Sequence, residues 1–295
     1  MVQFNLIKEA IVQKAFFWGL LFLIISMGGF AVENNGIFTV RVGQFEVNML
    51  VEVEREGNAS IIPGAPPEVL NRYIPEGSFS MSTNIFLVRT PTQNILVDTA
   101  FGGASFDRMR QLGVDLGDVD AVLITHMHGD HIGGLQRDGV PLFPRATIYV
   151  SARDRDHFTI TAVNQGAIAA LAPYGSRVET FEPVPLGGTY RELLPGIIPI
   201  AAFGHTPGHT VFLIESAGER FLIIADLLHA APVQFPHPEI SAVFDVDQTA
   251  AAIDRRQILD YAARNRIPIG GMHIAYPGVG MVEVDGNGFR FVPGR

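Results

Sequence analysis

The chain contains no cysteine in its 295 residues. Disulfides, thiol nucleophiles, iron–sulfur clusters and thiolate zinc sites are excluded by inventory. Any metal must be held by His, Asp or Glu. Basic charge is also scarce: 21 Lys and Arg stand against 30 Asp and Glu, a formal net charge of −9, and no block of basic residues occurs. That balance offers no footprint for a nucleic-acid polymer, and none is expected as a partner. No repeat at a solenoid period is present either. With 47% hydrophobic and 17% charged residues, the chain can build one large domain with a buried core.

The one long apolar run lies at the N-terminus, in residues 15–27, after a mixed segment carrying Lys8 and Lys14. This pattern fits a secretory signal, and Gly29-Phe30-Ala31 supplies small residues at the two positions a signal peptidase needs. Residues 1–31 are therefore expected to be a signal peptide and residues 32–295 the functional domain, exported to the periplasm or the medium. Two competing readings are an uncleaved membrane anchor running to Val32, and a helix packed onto the domain. A membrane partner follows only if the leader stays.

Beyond residue 36 the pattern is that of an α+β chain. Residues 37–42 and 45–53 alternate in polarity and suggest an opening hairpin. Pro63, Pro66, Pro67 and Pro75 then mark an irregular stretch, read as a loop covering a pocket. Strands are expected over 84–89 and 94–97, a helix over 105–112, and a buried strand over 121–125.

At the end of that buried strand stands His126-Met127-His128-Gly129-Asp130-His131. Strand ends are where open α/β sheets place ligand sites. His126 and His128 can converge on one ion while Asp130 and His131 turn to a second, with Gly129 freeing the loop. Neutral imidazole and carboxylate suit zinc and other first-row divalent ions. Three later segments each deliver a ligand-type residue at a strand end. They are Gly204-His205-Thr206-Pro207-Gly208-His209-Thr210, the run 221–225 ending on Asp226, and the run 268–272 ending on His273.

The order His126, His128, Asp130, His131, His209, Asp226, His273 resembles the metallo-β-lactamase superfamily over nearly all of the chain after about residue 40. Within it, the closer likeness is to the branch containing methyl parathion hydrolase and related lactonases. The residues that carry it are 125–135, 205–210, Ala225-Asp226-Leu227-Leu228-His229 and Val233-Gln234-Phe235-Pro236. The resemblance implies a four-layer αβ/βα sandwich with two metals at one edge. It implies that His126, His128 and His209 hold the first metal, that Asp130, His131 and His273 hold the second, and that Asp226 bridges them. The expected cofactors are two divalent ions, zinc first, with manganese, iron or cobalt as alternatives.

Two cations a few ångströms apart lower the pKa of a shared water and supply hydroxide near neutral pH, while polarising the bond under attack. The expected reaction is hydrolysis of a small neutral ester, lactone or phosphotriester. Asp130 is read as a catalytic group that orients the nucleophile or shuttles its proton. His229 either reaches the pocket as a second catalytic group or is a satisfied buried histidine. Asp98 and Asp120 are expected to hydrogen-bond ligand imidazoles from behind. Phe235 and Phe244 are expected to line the substrate pocket. His205 is read as structural, and His157 within Arg153-Asp154-Arg155-Asp156-His157 as part of a solvated charged face. Other readings are an iron-dependent oxygenase on the same scaffold, a β-lactam or thioester hydrolase, and a binding protein without activity. A homodimer is one assembly open to the chain. Cleavage after Ala31 predicts that N-terminal sequencing of the exported protein begins near Val32; an intact Met1 overturns the signal reading.

Overall fold

A computed structural model of the protein describes residues 31–33 and 35–295; residues 1–30 of the expected leader lie outside the described residues. Two sheets dominate. The first has eight strands in chain order: Ala31–Glu33, Ile37–Val42, Phe45–Asn58, Ser78–Arg89, Asn94–Val97, Ala121–Ile124, Thr147–Ser151 and Val178–Phe181. The second has six, again in chain order: Ile197–Ala201, Thr210–Ser216, Glu219–Ile223, Ile269–Gly270, Val279–Asp285 and Gly288–Pro293.

Strand periodicity builds the layers. Ile95, Val97, Phe86, Val88, Ala121 and Leu123 of the first sheet pack against Phe212, Ile214, Phe221 and Ile223 of the second. Their neighbours Ile85, Leu87, Leu96, Val122 and Ile124 point the opposite way, into a core shared with Phe106 and Met109 of helix Ala104–Gln111. On the far side of the second sheet, Val211, Leu213, Leu222 and Ile224 pack under Ile258, Leu259 and Ala262 of helix Gln248–Asn265. Strands covered on both faces read as continuous apolar runs because successive side chains enter different cores. The outcome is the four-layer αβ/βα sandwich. The opening hairpin is also present, Val42 facing Phe45 across a turn at Gly43. Gly43 has φ +57°, and a Cβ there would lie 2.2 Å from the Ser216 carbonyl oxygen, so the turn and the neighbouring sheet both require glycine.

Helix Gln248–Asn265 has no counterpart in the expected elements. Its start is fixed by Asp247, whose side chain accepts from the Ala250 amide at 2.9 Å. The Pro-rich stretch also differs from expectation. It contains helix Pro67–Tyr73, with Pro67 at the first turn where its missing N–H costs nothing. Rather than covering the pocket, Ile62, Ala65 and Ile74 pack against Ala230, Val233 and Ile240, and the Val243 amide donates to the Ile61 carbonyl. This stretch buttresses the segment that follows Asp226. Among the described residues, no helix is long and apolar enough to cross a membrane.

Phe212 lies fully buried between the sheets, its ring tilted against that of Phe181 with centroids 6.0 Å apart. Phe212→Ala is expected to cost about 3–5 kcal/mol, read as a lowered midpoint in chemical denaturation.

Candidate metal centre

Both sheets contribute to one cluster at their shared edge. The loop after Ala121–Ile124 brings His126, His128, Asp130 and His131; the second sheet brings His205 before Thr210–Ser216, Asp226 after Glu219–Ile223, and His273 after Ile269–Gly270. Backbone bonds stitch the edge together, with the Thr210 amide donating to Thr125 O at 2.9 Å and the Asn84 amide to Met272 O at 2.9 Å.

Three imidazole nitrogens form a tight triangle. His126 Nε2 is 3.0 Å from His128 Nδ1, and His205 Nε2 is 3.2 and 3.1 Å from them respectively. Ligands about 2.05 Å from a tetrahedral zinc stand roughly 3.3 Å apart, so this triangle has the size of one face of such a site. Asp130, His131 and His273 make a second group, His273 Nε2 lying 3.4 Å from Asp130 Oδ2. Asp226 joins the two: Oδ1 is 3.2 Å from His131 Nε2, while Oδ2 is 3.1 Å from His273 Nε2, 3.4 Å from His205 Nε2 and 3.6 Å from His126 Nε2.

The donor set fits two divalent cations. His131 Nε2 and Asp226 Oδ1 are buried, yet neither has a well-formed hydrogen bond, a costly arrangement for polar atoms unless a further group satisfies them. Burial opposes ionisation of Asp226, but His131, His273 and His126 outweigh it and hold the carboxyl well below the usual range. Burial and the nearby His131 push His126 well below its ordinary value, and burial with His205 pushes His128 down to about 4. Both are therefore neutral at pH 7, the form that ligates.

The expected role of His209 is corrected. Its Nδ1–H donates to Ala202 O at 2.9 Å and its Nε2 accepts from the Asp226 amide at 3.1 Å, leaving no nitrogen for a metal. His205, four residues earlier, occupies that place. Its Nδ1 contacts Asp245 Oδ1 at 2.9 Å, which fixes the tautomer that turns the Nε2 lone pair into the cluster. Asp245 Oδ2 also receives Arg255 Nη2 at 3.1 Å, and Arg255 donates further to Leu227, Pro238 and Ile240 carbonyls.

Asp98 stands where a hydrogen bond to a ligand needs it. Oδ2 contacts His131 Nδ1 at 2.7 Å and accepts from Thr125 Oγ1 at 2.6 Å, while Oδ1 accepts from the Thr125 amide at 2.8 Å. Its φ of +60° lies in the left-handed region, a strained conformation that Asp tolerates better than most residues. Asp120 is a second correction. It precedes strand Ala121–Ile124, at the end opposite the His126–His131 loop, where it accepts from the Asn94 amide and Arg145, away from the imidazoles.

A cavity of about 520 Å³ opens above the cluster, lined by Arg55, Phe101, His128, Asp130, Asp226, His229, Phe244 and His273 among others. Phe244 is 45% exposed, and its ring lies 5.2 Å from that of His229. Phe235, by contrast, is 3% exposed and stacks on Phe291 in the core, because it faces the second sheet and not the cavity. His229 Nε2 is 3.1 Å from Asp226 Oδ2, and burial pushes its pKa down to about 4. Sequence reasoning missed Arg55, Phe101, Asp245, Arg255 and Asp154. The last lies in the charged run around His157 but is fully buried, accepting from the Met127 amide, Thr206 Oγ1 and the Gly208 amide.

Exchanging His205 for His209 as a ligand makes a sharp expectation. His205→Ala should remove one tightly bound metal per chain, with affinity falling at least ~10-fold, whereas His209→Ala should leave two binding steps and lower thermal stability. Zinc titration against a competing chelator checks both; two undiminished steps in His205→Ala would overturn the assignment.

Comparison with known proteins gives a consistent picture. Residues 80–274 match the family described as the metallo-beta-lactamase superfamily. The dizinc quorum-quenching lactonase AidC, in complex with the product N-hexanoyl-L-homoserine, superposes with a TM-score of 0.78 at 24% identity, covering 91% of this chain and 98% of that one. The hydrolase AbOPH superposes with a TM-score of 0.80 at 26% identity, covering 90% and 99%. An atrochrysone carboxyl ACP thioesterase of Pseudocercospora fijiensis is 30% identical over 49% of this chain, and the match spans only 38% of the thioesterase's length. The uncharacterized protein YobT of Bacillus subtilis is 27% identical over 63% of this chain and 82% of its own. With its sandwich, its His126–His131 loop and two thirds of its length matched, this chain belongs to the metallo-β-lactamase superfamily.

Proposed function

We propose that the protein is a two-metal hydrolase of small carboxylic esters, lactones foremost. The observation that carries this reading is the pair of donor clusters sharing Asp226 and opening directly on a cavity with an aromatic rim. Zinc is the proposed metal, with His126, His128 and His205 holding one ion, Asp130, His131 and His273 the other, and Asp226 both. When bound, two such cations acidify water between them and polarise the carbonyl under attack.

The remaining steps belong to the chain. Phe101 and Phe244 flank the cavity and hold the apolar part of the substrate. Burial opposes ionisation of Asp130, but His131 and His273 outweigh it, so the carboxylate is charged at neutral pH and accepts the proton that water gives up. As the water oxygen bonds to the carbonyl carbon and the C–O bond of the alcohol breaks, that proton passes to the departing oxygen. His229 is neutral at pH 7 because of its burial, and its one N–H donates from Nε2 to Asp226 Oδ2, so the ring orients that carboxylate without adding positive charge. The likeness in fold to AidC and to an N-acyl homoserine lactone hydrolase with its product bound, at a TM-score of 0.58, supports a lactone as the substrate.

The test compares a lactone, an aryl ester, a phosphotriester and a β-lactam on protein of measured metal content. The lactone should give the highest kcat/KM, with no oxygen consumed, and Asp226→Ala should lower it at least ~10³-fold while weakening metal binding. A preference for the phosphotriester overturns the lactone reading, and full turnover in Asp226→Ala overturns the bridging role. Phe244→Ala should raise KM roughly tenfold with an unchanged melting temperature. Phe235→Ala should do the reverse, lowering the melting temperature and leaving KM alone.

A further inference from the structure

We infer that Asp154 is a positioning residue that locks the two loops carrying the first metal's three imidazoles into one rigid frame. The inference rests on the two-metal reading above and adds a residue outside its ligands. Asp154 lies in helix Ala152–Asp156, directly after strand Thr147–Ser151, and has no exposed surface. Oδ2 accepts from the Met127 amide at 2.8 Å, and Met127 is the residue between His126 and His128. Oδ1 accepts from Thr206 Oγ1 at 2.8 Å and from the Gly208 amide at 2.7 Å, in the turn that follows His205. One buried carboxylate thus accepts on one oxygen from the loop of the first sheet, and on the other from the loop of the second.

The geometry demands such a lock. The nitrogen triangle of His126, His128 and His205 joins residues 77 and 79 positions apart in the chain, yet its sides are 3.0–3.2 Å. A displacement of one loop by a fraction of an ångström moves a ligand out of bonding range. Gly208 shows how closely the turn sits on this helix: a Cβ there would lie 2.4 Å from the Asp154 nitrogen and 2.6 Å from Ser151 Oγ. Asp245 fixes the ring of His205, Thr125 contacts the ring of His126, and the Thr125 carbonyl joins the loop to the Thr210 amide at the start of its strand, but the turn 206–208 beside His205 is tied to the loop of His126 and His128 through Asp154. Asp154 bonds both.

The second metal group has its own supports. His131 leans on Asp98 and His273 on the Ser82 carbonyl at 2.9 Å, without Asp154. The role therefore predicts a selective defect. An amide in place of the carboxylate keeps the shape, but its NH2 faces either the Met127 amide or the Thr206 and Gly208 donors, so one loop loses its acceptor.

The test uses the full protein stripped of metal and titrated with zinc against a competing chelator, beside cobalt(II) absorption spectra. Asp154→Asn should weaken the site of His126, His128 and His205 by ~10- to 100-fold, leave the other site within about threefold, and alter only one set of cobalt bands. Saturating zinc should restore turnover with KM unchanged. Unchanged affinity at both sites with a lowered melting temperature shows a merely structural role and overturns the inference. Equal loss at both sites overturns it too. If Asp154→Asn does not fold, Thr206→Val removes a single donor and should give a smaller defect at the same site; no change there overturns the inference. Asp120→Asn, at the far end of its strand, is the control. Wild-type protein that binds only one zinc refutes the two-metal reading by itself, and the Asp154 comparison is then read on that ion.

Discussion

Asp226 is the point on which the rest of the structure converges. A carboxylate buried away from water is costly unless compensated, and here the compensation is five imidazoles within 3.6 Å of its two oxygens. The same charge holds His131 well above its ordinary pKa, since Asp226, Asp98 and Asp130 together outweigh the effect of burial. The backbone around it is correspondingly constrained. Ala225 has φ +48°, and the Asp226 amide is pinned to His209 Nε2. His209, pushed by burial and by His205 to about 3, stays neutral and keeps that nitrogen free to accept. A histidine that resembles a ligand thus orients the residue both groups share.

Sharing one carboxylate between two sheets requires their edges to be in register. Polar bonds at the sandwich edge provide this. Asn84 Nδ2 reaches the Gly271 and Ile274 carbonyls at 3.0 and 2.9 Å, and Ser82 Oγ reaches Ile274 O at 2.7 Å. These residues lie on Ser78–Arg89 of the first sheet, and their partners on the loop that carries His273 of the second. The apolar core between the sheets supplies most of the cohesion but is non-directional. The directional bonds sit beside the site, where position matters.

What could be read from the sequence follows the range of each interaction. The His126–His131 loop is local, four donors in six residues after an apolar strand, and its identity needs no tertiary information. The alternation that separates the two faces of each strand is local as well. His205 and His209 are not separable locally, because both flank Thr206-Pro207-Gly208 and only the three-dimensional turn decides which ring enters the cluster. Asp98 and Asp120 differ by which end of a strand they occupy: one follows its strand, the other precedes. Asp154 was hidden among Arg153, Arg155 and Asp156, whose charges suggest a solvated face, although its helix turns this one side chain inward. Phe235 and Phe244 are both aromatic and both follow Asp226, and nothing in their neighbours marks one as core and the other as rim.

The segment after Asp226 joins the cavity wall to the donor cluster. Arg255 gathers that segment by donating to Leu227, Pro238 and Ile240 carbonyls and to Asp245 Oδ2. Asp245 passes the constraint on to His205, so a ligand ring and a cavity wall share one buried carboxylate. Its neighbours Val243, Phe244 and Val246 are exposed and carry no side-chain hydrogen bond. Phe244 and Asp245 face different ways: the buried carboxylate holds the His205 ring, while the Phe244 side chain beside it lines the cavity. Substitution of Phe244 alters the cavity wall, whereas a change at Asp245 frees the His205 ring and leaves Arg255 as a buried cation without its carboxylate. A cavity-lining ring and the carboxylate that holds His205 are thus adjacent residues on opposite sides of one chain segment, and the hydrogen bonds of Arg255 fix which side faces in.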